Sequence, residues 1–429
     1  MIEYQFKDIM LGFYDGPHAT PSLSDEGPIF LGIKNIFETG GIDFKNIRHI
    51  SEAEFPKWTK RVVPKKDDIV FSYEATLHRY ALIPEGFRGC LGRRMALIRV
   101  NKEVVNEQFL YHYFLSSKWR AFIETVKISG ATVERISISK FPNYKITLPP
   151  LPIQNKIASI LSSYDELIEN NKQRIKLLEE MAEEIYKEWF VRLRFPGYEN
   201  TKIVDGLPEG WERKPIDSFV DIISGYAFKT QSFDSEGIYK LVTIKNVQDG
   251  FFVTQTTDYI YELPKNLKED CKLKDKDIIL SLTGNIGRIC MVYGENYVLN
   301  QRVAKLKPKQ ENYFEFVYLM FRSSFLRATL ENLSNGAAQQ NLSPIEMGKL
   351  EFLFPSEKII NKFSELTKSF FDEIITLNKK NQLLQETREL LLPRLISGKL
   401  SVEHLVEEEL ELGMVEEPTV NYQKTKMEE

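Results

Sequence analysis

The sequence predicts an α+β protein with two similar globular domains, separated by a pair of long antiparallel coiled-coil helices. Three observations support this prediction. The chain of 429 residues repeats itself internally at an offset of roughly 204–211 positions. Each repeat begins with short β-type segments and turns, and each ends in a long heptad pattern. A chain of this length is also too long for one ordinary hydrophobic core. We therefore expect an internal repeat with approximate two-fold symmetry.

The repeat consists of short matching blocks that keep their order and near-constant spacing. Residues 68–72 (DIVFS) match residues 277–281 (DIILS). The other matches are 32–36 with 243–247, 109–111 with 316–318, 130–131 with 336–337 and 155–157 with 361–363. Each match is weak by itself, but their common order indicates a duplicated unit.

Alternating apolar residues predict strands in both repeats, at 62–63, 68–71, 95–100, 276–281 and 303–306. Residues 106–127 and 313–333 each have the pattern of a helix. Strands mixed with helices in this way are typical of an α+β head.

The heptad patterns start just after Pro152 and Pro355, where proline is tolerated near a first helical turn. The first stripe contains Ile157, Tyr164, Asn171, Leu178 and Ile185, flanked by Leu161, Ile168, Ile175, Ala182 and Trp189. The second contains Phe363, Phe370, Leu377, Leu384 and Leu391, flanked by Leu366, Ile374 and Leu395. Sustained heptads favour a coiled-coil seam.

An alternative is that each stripe only docks its helix on its own head. A helix over 153–190 would be roughly 55 Å long at 1.5 Å per residue, which is more than one head covers. We therefore favour pairing of the two helices. The predicted organisation is a first globular domain at 1–150, a long spacer helix at 151–193, a linker at 194–212, a second globular domain at 213–355, a second long spacer helix at 356–400 and an acidic, disordered tail at 401–429.

Composition limits the possible functions. The formal net charge of −4 is permissive for a nucleic-acid binder, because residues 1–150 carry 21 basic against 17 acidic residues, a balance of +4. The three cysteines have no Cys-x-x-Cys spacing, which excludes a zinc ribbon and predicts no metal site. No apolar stretch is long enough for a membrane helix, so we expect a cytoplasmic protein without a membrane partner.

Catalytic motifs are missing from the sequence. It contains no Gly-x-Gly, no Gly-x-x-x-x-Gly-Lys-Ser/Thr and no Asn-Pro-Pro-Tyr-like methylation motif. We therefore predict no catalytic residue and no cofactor bound by this chain.

Several motifs resemble the specificity subunits of type I restriction-modification systems, over most of residues 1–402. The resemblance is strongest at 148–157 (LPPLPIQNKI), 188–190 (EWF), 206–211 (GLPEGW) and 392–398 (LPRLISG), and Asp15-Gly16-Pro17-His18 also looks like this family. One departure is local: residues 74–79 (EATLHR) stand where the second repeat has 283–288 (TGNIGR).

The resemblance implies a non-catalytic DNA-reading subunit. The two globular domains would be target-recognition domains, each of which reads half of a bipartite double-stranded DNA site. The helices would set the spacing between the half-sites and dock two methyltransferase subunits. Restriction subunits would join the complex. The methyltransferase would use S-adenosylmethionine, and the motor-nuclease subunit would use ATP and magnesium.

Candidate DNA-binding residues are those that suit phosphates or base edges. Arginines occur in register in the two repeats: Arg79 with Arg288, and Arg94 with Arg302. Two loops add small and amide residues, namely Gly130, Thr132 and Arg135 in the first repeat and Gly336, Gln339, Gln340 and Asn341 in the second; His18 completes the set. The alternatives are salt bridges for the arginines, helix C-cap turns for the loops and a turn role for His18.

A different class of function is also compatible with two heads and a coiled coil. The chain could be a scaffold or adaptor whose heads bind proteins. DNA binding that survives competitor, or a neighbouring methyltransferase gene, would distinguish the two.

Overall fold

The structure is a computed structural model that describes residues 1–129, 133–334 and 341–406. These residues form two compact units. The first comprises residues 1–166 with 384–406, and the second comprises Leu167–Leu383. Below, the first head denotes residues 1–150 and the second head denotes residues 213–355.

The first head mixes short strands and helices. Its strands are β1 Ile2–Gln5, β2 Met10–Asp15, β3 Ser24–Leu31, β4 Arg48–His49, β5 Ile69–Ser72, β6 Tyr80–Leu82, β7 Gly89–Leu91, β8 Met95–Val100, β9 Ile128–Ser129, β10 Glu134–Arg135 and β11 Lys145–Leu148. Its helices are α1 Phe6–Ile9, α2 Phe55–Trp58, α3 Glu107–Leu115 and α4 Ser117–Val126, and the long helix α5, Leu151–Tyr186, follows.

The second repeat has the same order of elements. Its strands, with those of the segment before it, are β12 Ile203–Val204, β13 Leu207–Pro208, β14 Glu212–Pro215, β15 Val220–Ser224, β16 Tyr239–Val242, β17 Tyr259–Ile260, β18 Lys272–Leu273, β19 Ile278–Ser281, β20 Ile289–Met291, β21 Tyr297–Leu299, β22 Val303–Pro308 and β23 Glu351–Phe354. Its helices are α6 Phe314–Arg322, α7 Ser324–Ser334, α8 Pro344–Gly348 and the long α9 Glu357–Ile396.

The main sheet of each head has the same topology. In the first head the order is β2-β8-β5-β6, and in the second it is β15-β22-β19-β20, with all neighbours antiparallel. The strands β5 and β19 lie inside these sheets, and all four residues of each are buried. Burial on both faces explains why DIVFS and DIILS are apolar runs and not alternating ones.

Equivalent contacts confirm that the heads are copies of one unit. The Asp68 carboxylate accepts from the Lys65 N–H at 2.8 Å, and the Asp277 carboxylate accepts from the Lys274 N–H at 2.8 Å. Asn106 donates to Asn155 at 3.0 Å, and the second head repeats this amide pair between Asn312 and Asn361. The predicted duplicated architecture of mixed α and β structure is therefore confirmed.

Three predicted elements were wrong. Residues 106–127 and 313–333 each form two helices, because Ser116 and Ser323 break them and their hydroxyls cap α4 and α7 by accepting from Trp119 N–H and Leu326 N–H, both at 3.3 Å. Residues 62–63 form no strand. The Val63 carbonyl accepts from the Arg99 guanidinium at 3.1 Å, and the following proline has no N–H for a ladder.

Apart from Leu366, the predicted stripe residues on the long helices are buried or half-buried. Residues Ile157, Leu161, Ile168 and Ala182 of α5 and Phe363, Ile374, Leu377 and Leu395 of α9 are 5% exposed or less. Leu366 is an exception at 46% exposure. The stripe advances there in steps of four, through Phe363, Thr367 and Phe371, and position 366 lies about 100° from Thr367 around the helix.

Each unit uses a piece of both long helices in its core. The core of the first unit includes Ile157 and Leu161 of α5, and also Leu395 and Ile396 of α9. The core of the second unit includes Phe363 of α9 together with residues from the end of α5. Docking of a stripe on its own head therefore occurs, but it accounts for only part of the buried surface.

Candidate nucleic-acid interface

One edge of the main sheet collects the predicted arginines of the first head. Strands β2 and β5 end at this edge, while β6 and β8 begin there, because Ser72 pairs with Met95 and Phe71 pairs with Tyr80 in the antiparallel ladder. Arg79 directly precedes β6, and Arg94 directly precedes β8. We call this the first reading edge.

The second head has an equivalent edge. There Ser281 pairs with Val303 and Leu280 pairs with Ile289. Arg288 and Arg302 therefore precede β20 and β22 at the place where β15 and β19 end. We call this the second reading edge.

At each reading edge a glycine lies in close contact with the backbone of another segment. The Gly16 N–H donates to the Met95 carbonyl at 2.7 Å, and the Gly225 N–H donates to the Val303 carbonyl at 3.1 Å. A Cβ on Gly16 would lie 2.2 Å from the Gly92 oxygen, and a Cβ on Gly225 would lie 2.2 Å from the Asn300 oxygen. Only glycine fits such an approach, so the chain passes the two edges in the same way.

Arg94 and Arg302 have the same backbone contact but different side-chain surroundings. The Tyr73 N–H donates to the Arg94 carbonyl at 3.1 Å, and the Leu282 N–H donates to the Arg302 carbonyl at 3.0 Å. Arg94 Nε lies 2.9 Å from Glu74 Oε1 in an ion pair. Arg302 is exposed and forms no ion pair within the described residues.

Arg94 also has an unusual backbone. Its φ of 69° is in the left-handed region, which costs a non-glycine residue roughly 1–2 kcal/mol. Strain of this kind persists where the surroundings hold the residue, and it is common at functional sites.

Arg79 and Arg288 contact loops of their own heads. Arg79 Nη2 lies 3.5 Å from Glu38 Oε2, and Arg288 Nη1 donates to Gln248 Oε1 at 2.5 Å. In the second head this contact borders a cavity of about 240 Å³. The Arg79–Glu38 ion pair matches the salt-bridge alternative, whereas Arg288 bonds a neutral amide. DNA contact by Arg79 and Arg288 stays a prediction.

The loops after α4 and α7 reach the same edges. Arg135 forms an isolated β-bridge with Glu74, and Asn341 forms one with Thr283. Both side chains are exposed. The other predicted loop residues, Gly130, Thr132, Gly336, Gln339 and Gln340, lie outside the described residues.

His18 is exposed just beyond the end of β2. Its Nε2 lies 3.0 Å from Asp15 Oδ2, and Arg61 pairs with the other carboxylate oxygen of Asp15. These contacts give His18 a local partner as well as access to solvent. A phosphate contact by His18 stays a prediction.

Acidic side chains partly neutralise the positive charge of the first reading edge. Lys127 pairs with Glu124 at 2.5 Å and with Glu134 at 2.6 Å. Hydrogen bonds from Lys127 and then from His78 lower the pKa of Glu124. The edge thus has a mixed donor and acceptor surface, which suits base edges better than a purely basic patch would.

Sequence reasoning missed three polar residues at these edges. Glu74 and Thr283 occupy equivalent positions after β5 and β19, and Tyr73 directly precedes Glu74. The Tyr73 hydroxyl and the Thr283 hydroxyl are buried with no hydrogen-bond partner in the described residues, and burial raises the pKa of Tyr73. The different residues at 74 and 283 were the sequence signal that could have identified this position.

The described residues contain neither a candidate metal site nor a candidate membrane span. They contain no group of three or more histidine, cysteine, aspartate or glutamate side chains that could hold a metal ion. None of their helices is both long and apolar enough to span a membrane.

Comparison with known proteins decides the family. Residues 27–180 and 208–385 match the model of the type I restriction modification DNA specificity domain. This chain belongs to that family. It is therefore a DNA-recognition subunit, and catalysis belongs to other subunits of the complex.

Proteins similar to this chain are named as specificity subunits or S subunits of type I systems. The HindI specificity subunit of Haemophilus influenzae is 24% identical over 81% of this chain and 89% of its own length. The MjaIX specificity subunit of Methanocaldococcus jannaschii is 26% identical over 83% of each chain. The crystal structure of a type I S subunit from M. genitalium has the same fold, with a TM-score of 0.57 and 17% identity over 92% of this chain and 95% of that one.

Proposed function

We propose that this specificity subunit reads a bipartite double-stranded DNA site, with one half at each reading edge. One observation supports this proposal above all. The two edges have the same backbone frame, but they present different polar side chains: Glu74, Arg94 and Arg135 in one head, and Thr283, Arg302 and Asn341 in the other. A shared scaffold with different donors and acceptors is what reading two different half-sites requires.

We propose further that α5 and α9 form an antiparallel pair that sets the spacing between half-sites. Contacts within each unit support the pairing. In the second unit Asn171 donates to Asn381 at 2.9 Å, and Arg174 Nη2 lies 3.3 Å from Glu373. In the first unit Arg388 pairs with Asp165. Residues that come later in α5 thus contact residues that come earlier in α9.

The family also suggests the partners. We propose that two methyltransferase subunits dock on the helices and that restriction subunits join the complex. In that complex the methyltransferase would supply S-adenosylmethionine chemistry, and the motor-nuclease subunit would use ATP and magnesium. The adaptor alternative is disfavoured, because family membership assigns the chain to DNA recognition.

Methylation mapping of a reconstituted complex tests the proposal. The chain is combined with its methyltransferase, and methylated adenines are located on genomic DNA. We expect one bipartite motif with a constant spacer. Exchanging residues 1–150 for the head of another family member should change one half of the motif and keep the other.

The purified chain alone is the control, and it should transfer no methyl group. A change in both halves after the exchange would contradict the assignment of one half-site to each head. A reconstituted complex whose methylated sites share no bipartite motif would contradict the proposed function itself.

A further inference from the structure

The two reading edges have equivalent arginines with different neighbours. Arg94 is held by Glu74 through its Nε, and its side chain is 32% exposed. Arg302 occupies the equivalent position before β22, where the residue corresponding to Glu74 is Thr283, a neutral side chain. Identical side chains with different neighbours need not perform the same task.

We propose that Glu74 is a positioning residue that makes Arg94 a reader of guanine, whereas Arg302 contacts the phosphate backbone. This inference rests on the proposed function, because it names the chemistry of the first half-site. If Arg94 reads guanine, the first half-site must contain one G·C base pair that is recognised through Arg94.

The geometry of the ion pair leads to this proposal. Glu74 contacts Nε, which is the inner nitrogen of the guanidinium group. Within the described residues the buried Nε has the ion-pair contact with Glu74 but no hydrogen bond, and the outer Nη1 and Nη2 nitrogens form no hydrogen bond. These two nitrogens form the fork that bonds O6 and N7 of guanine in the major groove.

The surroundings also hold Arg94 in one orientation. Its backbone is fixed in the left-handed region, with its carbonyl bonded to the Tyr73 N–H at 3.1 Å. The backbone of Glu74 is held in turn, because it forms a β-bridge with Arg135. A side chain that is already oriented loses less entropy when it binds, and bidentate base contacts depend on such orientation.

Arg302 shares the backbone contact, because its carbonyl accepts from the Leu282 N–H at 3.0 Å, but it lacks both the left-handed backbone and the carboxylate. It is exposed and has no carboxylate partner in the described part of the chain. An exposed cation without a carboxylate partner suits phosphates, which need charge but no fixed fork.

The test measures base preference at each position of the site. Complexes reconstituted with the methyltransferase are given a duplex library with randomised half-sites, and methylated duplexes are sequenced. The variants are Glu74→Thr, which copies the second head, and Arg94→Lys, which keeps the charge but removes the fork. Arg302→Lys is the matched variant in the second head.

A further control is Lys66→Ala. Lys66 precedes β5 and therefore lies at the opposite edge of the same sheet, where its Nζ is 3.1 Å from Glu85. This change should leave all base preferences as they are.

We expect Glu74→Thr and Arg94→Lys to reduce discrimination at one G·C pair of one half-site by about tenfold to a hundredfold. The other half-site should keep its preferences. Arg302→Lys should leave the preferences of both half-sites unchanged. Arg94→Lys keeps the test decisive even if Glu74→Thr impairs folding.

Two results would overturn the inference. Unchanged preferences with both first-head variants would make the Glu74–Arg94 pair structural. A uniform loss of methylation at all sequences would place Arg94 on the phosphate backbone. In either case a wild-type complex that still methylates a bipartite site would leave the proposed function intact.

Discussion

The amide pair Asn171–Asn381 offers a direct test of helix pairing. The two side chains are 210 positions apart in sequence and share a hydrogen bond of 2.9 Å. Asn381 is only 7% exposed, and the neighbouring Ile374 and Leu377 are buried apolar residues. A single replacement, Asn171→Leu or Asn381→Leu, leaves the partner amide without a hydrogen bond in this apolar seam.

The expected magnitude follows from that geometry. An unpaired buried amide costs about 1–3 kcal/mol, whereas replacing both partners by apolar groups is nearly neutral or stabilising. Asn171→Leu should therefore lower the local stability of the helix pair by about 2 kcal/mol, Asn381→Leu should lower it by less because Asn171 is only half-buried and can bond water, and the double variant should restore it. The coupling energy between the two positions should be about 2–4 kcal/mol in favour of the double variant.

Native-state hydrogen exchange measures the local stability of the helix pair. Amides of α5 after position 167 and of α9 before position 383 should exchange about thirtyfold faster in Asn171→Leu, faster by a smaller factor in Asn381→Leu, and at the wild-type rate in the double variant, since 1.4 kcal/mol is a factor of ten. Asn378→Leu is the matched control, because the Asn378 amide donates to its own helix at the Ile374 carbonyl at 2.9 Å. It should show no coupling to Asn171→Leu. Additive effects of Asn171→Leu and Asn381→Leu would refute the reasoning.

Three further predictions concern spacing, DNA contact and pH. Inserting seven residues after Leu178 and seven after Leu384 keeps the stripes aligned and adds about 10 Å to the helices, so the spacer in methylated sites should grow by about three base pairs; an unchanged spacer would show that the helices do not set it. Arg302→Ala should lower the salt dependence of DNA binding by roughly one unit of slope without changing sequence preference, as measured by salt titration, and an unaltered slope would assign Arg302 a structural role. Burial lowers the pKa of His112 from 6.5 to about 4, against the opposing effect of Asp165, so the unfolded chain takes up this proton first as the pH falls. About 3 kcal/mol of stability should thus be lost between pH 6.5 and pH 4, and His112→Gln should lessen that loss in denaturation experiments; an equal loss in the variant would exclude His112 as its source.

The sequence by itself determined the features that depend on local periodicity. Repeated blocks such as DIVFS and DIILS predicted the duplication, because equal segments fold into equal strands and need no information from elsewhere. The heptads predicted the buried stripes, since residues three and four apart share one face of a helix. The register of Arg94 with Arg302 followed from the same repeat.

The local sequence pattern did not predict where the helices break, and it did not predict that Leu366 is exposed. Ser116 and Ser323 end one helix and cap the next, but a serine in an apolar helical pattern carries no signal that it must do so. Leu366 fits the heptad, but the stripe follows Thr367 because packing against the rest of the unit sets the helix rotation.

Only the tertiary structure decided which polar groups meet. Glu74 and Arg94 are distant in sequence, and they become neighbours because the antiparallel pairing of β5 with β8 brings the end of one strand beside the start of the other. Asn171 and Asn381 meet because the end of α5 and the start of α9 belong to the same compact unit. Such contacts depend on strand register and helix rotation, which are set by the whole core, and no residue type or spacing along the chain encodes them separately.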